Sequence, residues 1–236
     1  MIKRHWQETF ILIFSLLFTT LISSLVLSIF VKPIVGVNSG VNTYILSAIV
    51  SQIVIFGGAT ILYFKITKLE FGTYINIAKP TKNGLFLTLL AFITAVLVIV
   101  LFSPLIEWFK NTFANHQWVL HQLEVTKVQT EVLSNFRGYK LPIALLVLAL
   151  LPAIFEELVF RGILYRLIKD ISGNAILSIF LSGLLFSLIH FQALSFLPIA
   201  IVGFLLAYLY EKTNNLTHSI LLHFAFNAIQ IIFWQA

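Results

Sequence analysis

ALLVLALLPAIFEELVFRGILYR, residues 144–166, is the stretch that decides the fold. Its first half is the kind of uncharged apolar run that a bilayer demands. Its centre carries Glu156, Glu157 and Arg161 after fifteen uncharged residues, 141–155. Ionisable groups at membrane depth are costly unless paired or wetted, so they mark function by default. On a helix, Arg161 falls on the face of Glu157 four residues back, while Glu156 points about 100° away. Arg161 can therefore neutralise Glu157 and leave Glu156 free for chemistry. The plainer account of the same residues is an ion pair at a helix end, with the second glutamate solvated.

The rest of the chain is of the same kind. Its 236 residues are 59% hydrophobic and 10% charged, against roughly 25% charged in a soluble domain. A span needs about 20 mostly apolar residues. Segments meeting that need lie at 9–31, 42–64, 84–106, from 141 past 161, at 175–191, 196–210 and 216–234. Pro33, Gly36 and residues 38–40 are expected to form the turn between the first two. Ser172-Gly173-Asn174 and Thr213-Asn214-Asn215 are expected to break the later ones. The expected fold is all-α, a polytopic transmembrane helical bundle of about seven spans, with an eighth if a segment re-enters. It reads as one integral membrane domain in two parts. Residues 1–140 supply N-terminal spans and an interfacial segment, and residues 141–236 supply a core of four helices. The polar stretch 107–140 mixes charges with Trp108, Phe109, Trp118 and Leu120, which suits an interfacial helix or a flap over the bundle.

Lys3, Arg4, Lys65, Lys68, Lys79, Lys82, Arg166, Lys169 and Lys212 fall on one side if every span crosses. That bias places the N-terminus in the cytoplasm. The net charge of +6 is spread between apolar runs, and a nucleic-acid surface would need a basic cluster instead. With no cysteine, disulfides and thiolate metal sites are excluded. The apolar run from Thr9 to Val31 exceeds the core of a cleavable signal and reads as a retained span.

Two further motifs sit in apolar surroundings. In FSLIHF, His190 follows Phe186 by one helical turn. It lies about 17 residues after the 172–174 turn, and Glu156 lies about 17 before it, so an antiparallel hairpin sets them at one depth. A carboxylate and an imidazole sharing one water require that arrangement. In HFAFN, His223 and Asn227 share a helix face. They can donate to a developing oxyanion, or simply tie helices together in lipid. His223 lies only about eight residues past the 213–215 turn, so it reaches the depth of Glu156 only if the first hairpin protrudes by some two turns.

Glu-Glu-x-x-x-Arg, Phe-x-x-x-His and His-x-x-x-Asn, in that order and each within an apolar segment, resemble the CPBP family. This family comprises CAAX proteases and bacteriocin-processing enzymes, including Rce1-type prenyl-protein endopeptidases and relatives linked to bacteriocin immunity. The resemblance covers roughly residues 140–236. It implies an intramembrane endopeptidase in which Glu156 with His190 activates a water. His223 and Asn227 then stabilise the oxyanion, and Glu157 and Arg161 support the first motif. No cofactor is expected. The alternative is a divalent metal such as zinc held by Glu156, His190 and His223, although the HExxH helix of zinc peptidases is absent. Implied partners are a membrane-associated or lipid-modified peptide and the lipids themselves, in a bacterial plasma membrane. Two other functions suit the same residues, namely a non-catalytic immunity or scaffold protein and a proton-coupled transporter.

Overall fold

The computed structural model describes residues 2–31, 40–134 and 140–233. The expected turn at Pro33 and Gly36 lies outside these. Every described element is helical, as lipid requires of a chain that must satisfy its backbone polar groups internally. Helix α1 is Ile2–Val26, continued by a π-helical turn at Leu27–Val31. Helix α2 covers residues 40–67, with a π-helical stretch at Ser51–Gly57. A short α3, Phe71–Tyr74, precedes the long α4, Lys82–Thr112. Helix α5 is Gln117–Ser134. Helix α6, Leu141–Ser172, includes π-helical stretches at Leu145–Leu150 and Leu158–Leu164. Ala175–Leu188, Phe196–Thr213 and Leu216–Phe233 are α7, α8 and α9.

Among the described residues, six helices are long and apolar enough to cross a membrane: α1, α2, α4, α6, α8 and α9. The chain is an integral membrane protein with an all-α polytopic bundle. The fifth expected span, 175–191, differs from its reading. Helix α7 has 14 residues and ends at Leu188, before His190. His190 lies in the turn that follows, where Phe191 adopts a left-handed φ of 52°. Hydropathy extended the span because the turn residues Ile189 and Phe191 are themselves apolar.

Helix ends follow local chemistry. The Thr81 hydroxyl accepts from the Gly84 N–H at 3.1 Å and starts α4. Asn174 Oδ1 accepts from the Leu177 N–H at 3.1 Å and starts α7. Gly173, at φ 65°, closes α6, because a residue without Cβ takes the left-handed conformation without strain. The lysine-bearing loops gather at one end of the bundle. Asn215 accepts from the Ala78 N–H and donates to the Ala78 carbonyl, each at 3.1 Å. Arg166 reaches Tyr210 Oη at 2.6 Å and Asn214 Oδ1 at 3.4 Å. Since Arg166 lies six residues before Ser172, the α6–α7 hairpin continues about 9 Å beyond the level of Asn214. That offset brings Glu156 and His223 to a common depth.

Small residues allow the closest helix crossing. A Cβ on Gly203 of α8 would lie 2.9 Å from Gly183 Cα and from the Gly183 carbonyl oxygen on α7. Two backbones in direct contact pack well in lipid, where no hydrophobic drive holds helices together.

Candidate active site

Two π-helical stretches of α6 flank Glu156 and Glu157, the second of them carrying Arg161, and the stretch of α2 carries Gln52; such distortions recur at functional sites. Glu156 is the next-to-last residue of the segment Leu151–Glu157 and is 6% exposed, while Glu157 and Arg161 are both 0% exposed. Arg161 Nη1 donates to Glu157 Oε1 at 2.7 Å. Arg161 Nη2 donates to the Gly203 carbonyl at 2.9 Å, across on α8. The guanidinium carbon stands 4.6 Å from the centre of the Phe186 ring, a cation–π contact strengthened by the absence of water. Arg161 is thus spent on Glu157, Gly203 and Phe186.

The same Glu157 oxygen is 3.0 Å from His223 Nδ1. A carboxylate can only accept, so Nδ1 carries the hydrogen and the neutral ring has its lone pair at Nε2. His190 has the same tautomer for a different reason. Its Nδ1 is 2.7 Å from the Phe186 carbonyl, which also only accepts. Both Nε2 atoms face one oxygen, with Glu156 Oε2 3.9 Å from His190 and 4.0 Å from His223. That oxygen is buried and has no hydrogen-bond partner. The other oxygen, Oε1, accepts from Gln52 Nε2 at 2.7 Å.

Phe186 is the hub beneath this group. Its ring packs against those of His190 at 4.7 Å, Phe160 at 5.2 Å and His223 at 5.6 Å, as well as the Arg161 guanidinium. The Phe-x-x-x-His spacing therefore serves two contacts at once, ring packing and the bond to the Phe186 carbonyl.

A cavity of about 550 Å³ opens over Glu156 and is lined by Gln52, His190, His223 and Asn227. One wall is α5, whose Gln122, Val125, Thr126, Gln129, Thr130 and Leu133 share a face toward it. The segment 107–140 thus contributes a polar wall to the site, and its residues 135–139 lie outside the described set. Gln122 Nε2 also donates to the Phe191 carbonyl at 3.1 Å, joining α5 to the turn that carries His190. A second, apolar pocket of about 280 Å³ adjoins this cavity through the shared residues Ile106, Leu194 and Pro198.

Glu156, His190 and His223 are the candidate metal set. Ligands of one tetrahedral zinc ion stand roughly 3.3 Å apart, given bonds of about 2.0–2.1 Å. The two imidazoles lie farther than that from the carboxylate oxygen, and among the described residues no three His, Cys, Asp or Glu side chains are arranged to hold a metal ion. A bridging water, with its longer and angularly softer bonds, spans such gaps. As placed, the residues do not fit the ion.

Sequence reasoning missed Gln52 and the Gly203 carbonyl, and read 107–140 as an interfacial helix or a flap without assigning any of its residues to the site. A lone glutamine in the apolar run SAIVSQIVIF was the one available signal, since polar side chains in spans are rarely idle.

A helical bundle of long apolar spans enclosing buried carboxylates and imidazoles is the architecture of a polytopic membrane protein with an internal polar site. Residues 138–229 match the family model for type II CAAX prenyl endopeptidase Rce1-like proteins, so this part of the chain is similar to that family. All three motifs fall inside that match, and Gln52 falls outside it. No curated protein and no solved structure matches the chain.

Proposed function

We propose that the protein is an intramembrane endopeptidase that hydrolyses a peptide bond in a membrane-associated or lipid-modified peptide. The observation that carries this reading is the buried, unpartnered Glu156 Oε2 facing the Nε2 atoms of His190 and His223. A water held there can give a proton to Glu156 Oε2 while His190 Nε2 orients it by accepting its second hydrogen. The resulting hydroxide attacks the substrate carbonyl carbon, and the carbonyl oxygen takes the negative charge. Asn227 Nδ2–H can donate to that oxygen. His223 can do so from Nε2 only as an imidazolium, because its Nδ1–H is committed to Glu157. When the tetrahedral species collapses, the C–N bond breaks and Glu156 returns its proton to the leaving amine. General base catalysis contributes on the order of 10²–10⁴ in rate, and one oxyanion donor on the order of 10²–10³.

The adjoining apolar pocket supports a substrate with a lipid group or a large apolar side chain next to the scissile bond. The gathered lysine-bearing end supports a cytoplasmic N-terminus under the positive-inside rule.

The deciding experiment compares the membrane proteomes of cells carrying wild-type protein, Glu156→Ala and His190→Ala. An unprocessed precursor is expected to accumulate in both variants. Normal processing by both, with the protein present at wild-type levels, would overturn the assignment. No precursor cleaved even by wild type, with protection against a membrane-active peptide retained in both variants, would identify a non-catalytic immunity protein.

A further inference from the structure

We infer that Gln52 is a positioning residue that aims Glu156 at the two imidazoles, so that the working centre is assembled from both ends of the chain. This rests on the peptidase reading of Glu156, and Gln52 lies far outside the matched residues 138–229.

A carboxylate turns readily about its last torsion, which has only broad wells. Something must fix which oxygen faces the histidines. The bond from Gln52 Nε2 to Glu156 Oε1, at 2.7 Å, does this, and bonds to charged acceptors are the short, strong ones. It leaves Oε2 as the oxygen turned to His190 and His223. The opposite amide orientation would set two oxygens against each other, so the donor must face the carboxylate. The Gln52 oxygen is buried without a partner, and Gln52 lines the cavity. An acceptor there suits a backbone N–H of a bound peptide.

The backbone is built to hold this contact. Gln52 lies in the π-helical stretch Ser51–Gly57, where the widened turn shifts side chains out of ordinary helical register. At the end of that stretch, a Cβ on Gly57 would lie 2.9 Å from the ring of Phe155, the neighbour of Glu156. Glycine at 57 therefore lets α2 lie directly on α6 beside the carboxylate. On the far side, Thr19 Oγ1 donates to the Ile55 carbonyl at 3.0 Å and ties the stretch to α1.

The test uses full-length protein in detergent micelles and the hydrophobic probe dicyclohexylcarbodiimide, with labelled residues located by mass spectrometry. The probe adds at a carboxyl oxygen, and a hydrogen bond held by that carboxylate competes with the addition. Gln52→Leu and Gln52→Glu should each label Glu156 about tenfold faster than wild type at pH 7, the loss of one hydrogen bond to a charged group. Glu157, fully buried, should stay unlabelled and so report an intact fold. Labelling of Glu156 within about twofold of wild type in both variants, with Glu157 silent, would overturn the proposal. A second arm uses the precursor that accumulates in Glu156→Ala cells. Gln52→Leu should lower kcat about tenfold with KM changed by less than about twofold, and a change confined to KM would also overturn it. Should wild type cleave no precursor at all, the peptidase reading fails while the labelling result still decides Gln52.

Discussion

Arg161 donates to the Gly203 carbonyl at 2.9 Å, and that bond couples the buried Glu157–Arg161 pair to the glycine crossing of α7 and α8. Removing one partner of a buried ion pair costs about 3–5 kcal/mol, because the other charge is stranded. Arg161→Met should therefore lower unfolding stability in micelles by about that amount. Arg161→Lys keeps the charge but not the fork that serves Glu157 and Gly203 together, and should fall between. An Arg161→Met protein as stable as wild type would show that the pair is not buried as described.

The two adjacent glutamates should separate cleanly. Glu156→Gln removes the candidate base but keeps its shape. Processing should fall by about 10²-fold or more with little change in unfolding. Glu157→Gln leaves Arg161 and His223 without their shared carboxylate, so activity and stability should fall together. Equal loss of stability in both variants would contradict this division of labour.

This separation was legible in the sequence, because an i, i+4 pair on a helix is local geometry. Phe186–His190 and His223–Asn227 were legible for the same reason, although α7 ends before His190. What spacing could not supply was contact between distant segments. Gln52 and Glu156 are 104 positions apart, and α5 reaches the cavity through packing that no periodicity encodes. The π-helical stretches were invisible too, since widening a turn leaves no mark on hydropathy.

Gly84 and His218 should be energetically coupled. A Cβ on Gly84 would run into the His218 ring, which accepts from the Thr81 N–H at 3.4 Å and lies 3.3 Å from Thr88 Oγ1. Gly84→Ala should cost about 1–3 kcal/mol as an overpacked site. In Gly84→Ala/His218→Ala the added methyl has room, so the double variant should be more stable than the sum of the singles by about 0.5–3 kcal/mol. Strict additivity, measured by unfolding, would remove the steric account.

Alkaline pH should loosen the loop end of the bundle. Tyr74, between α2 and α4, is pushed up to about 12 from 10.0, chiefly by burial. The fold thus favours the neutral phenol. Its contribution is whole below about pH 10 and is lost as pH rises through about 12. Tyr74→Phe should flatten that part of the stability curve, and an unchanged slope between pH 10 and 12 would refute it.

Chelation gives a further check. With imidazole-to-carboxylate distances of 3.9 and 4.0 Å, incubation with 1,10-phenanthroline should leave precursor processing intact. Loss on chelation, restored by zinc, would mean that the three side chains close around an ion.

At about 1.5 Å per residue, the 14 residues of α7 cover about 21 Å, where the hydrocarbon core is about 30 Å thick. A helix of that length that entered the bilayer from one side would end short of the other, with the turn at residues 189–195 at its inner end. Hydrolysis in a membrane has a supply problem, since one reactant is nearly absent from the solvent that holds the other. For the proposed peptidase, a truncated helix with a histidine just past its end sets His190 toward the water that the reaction would consume.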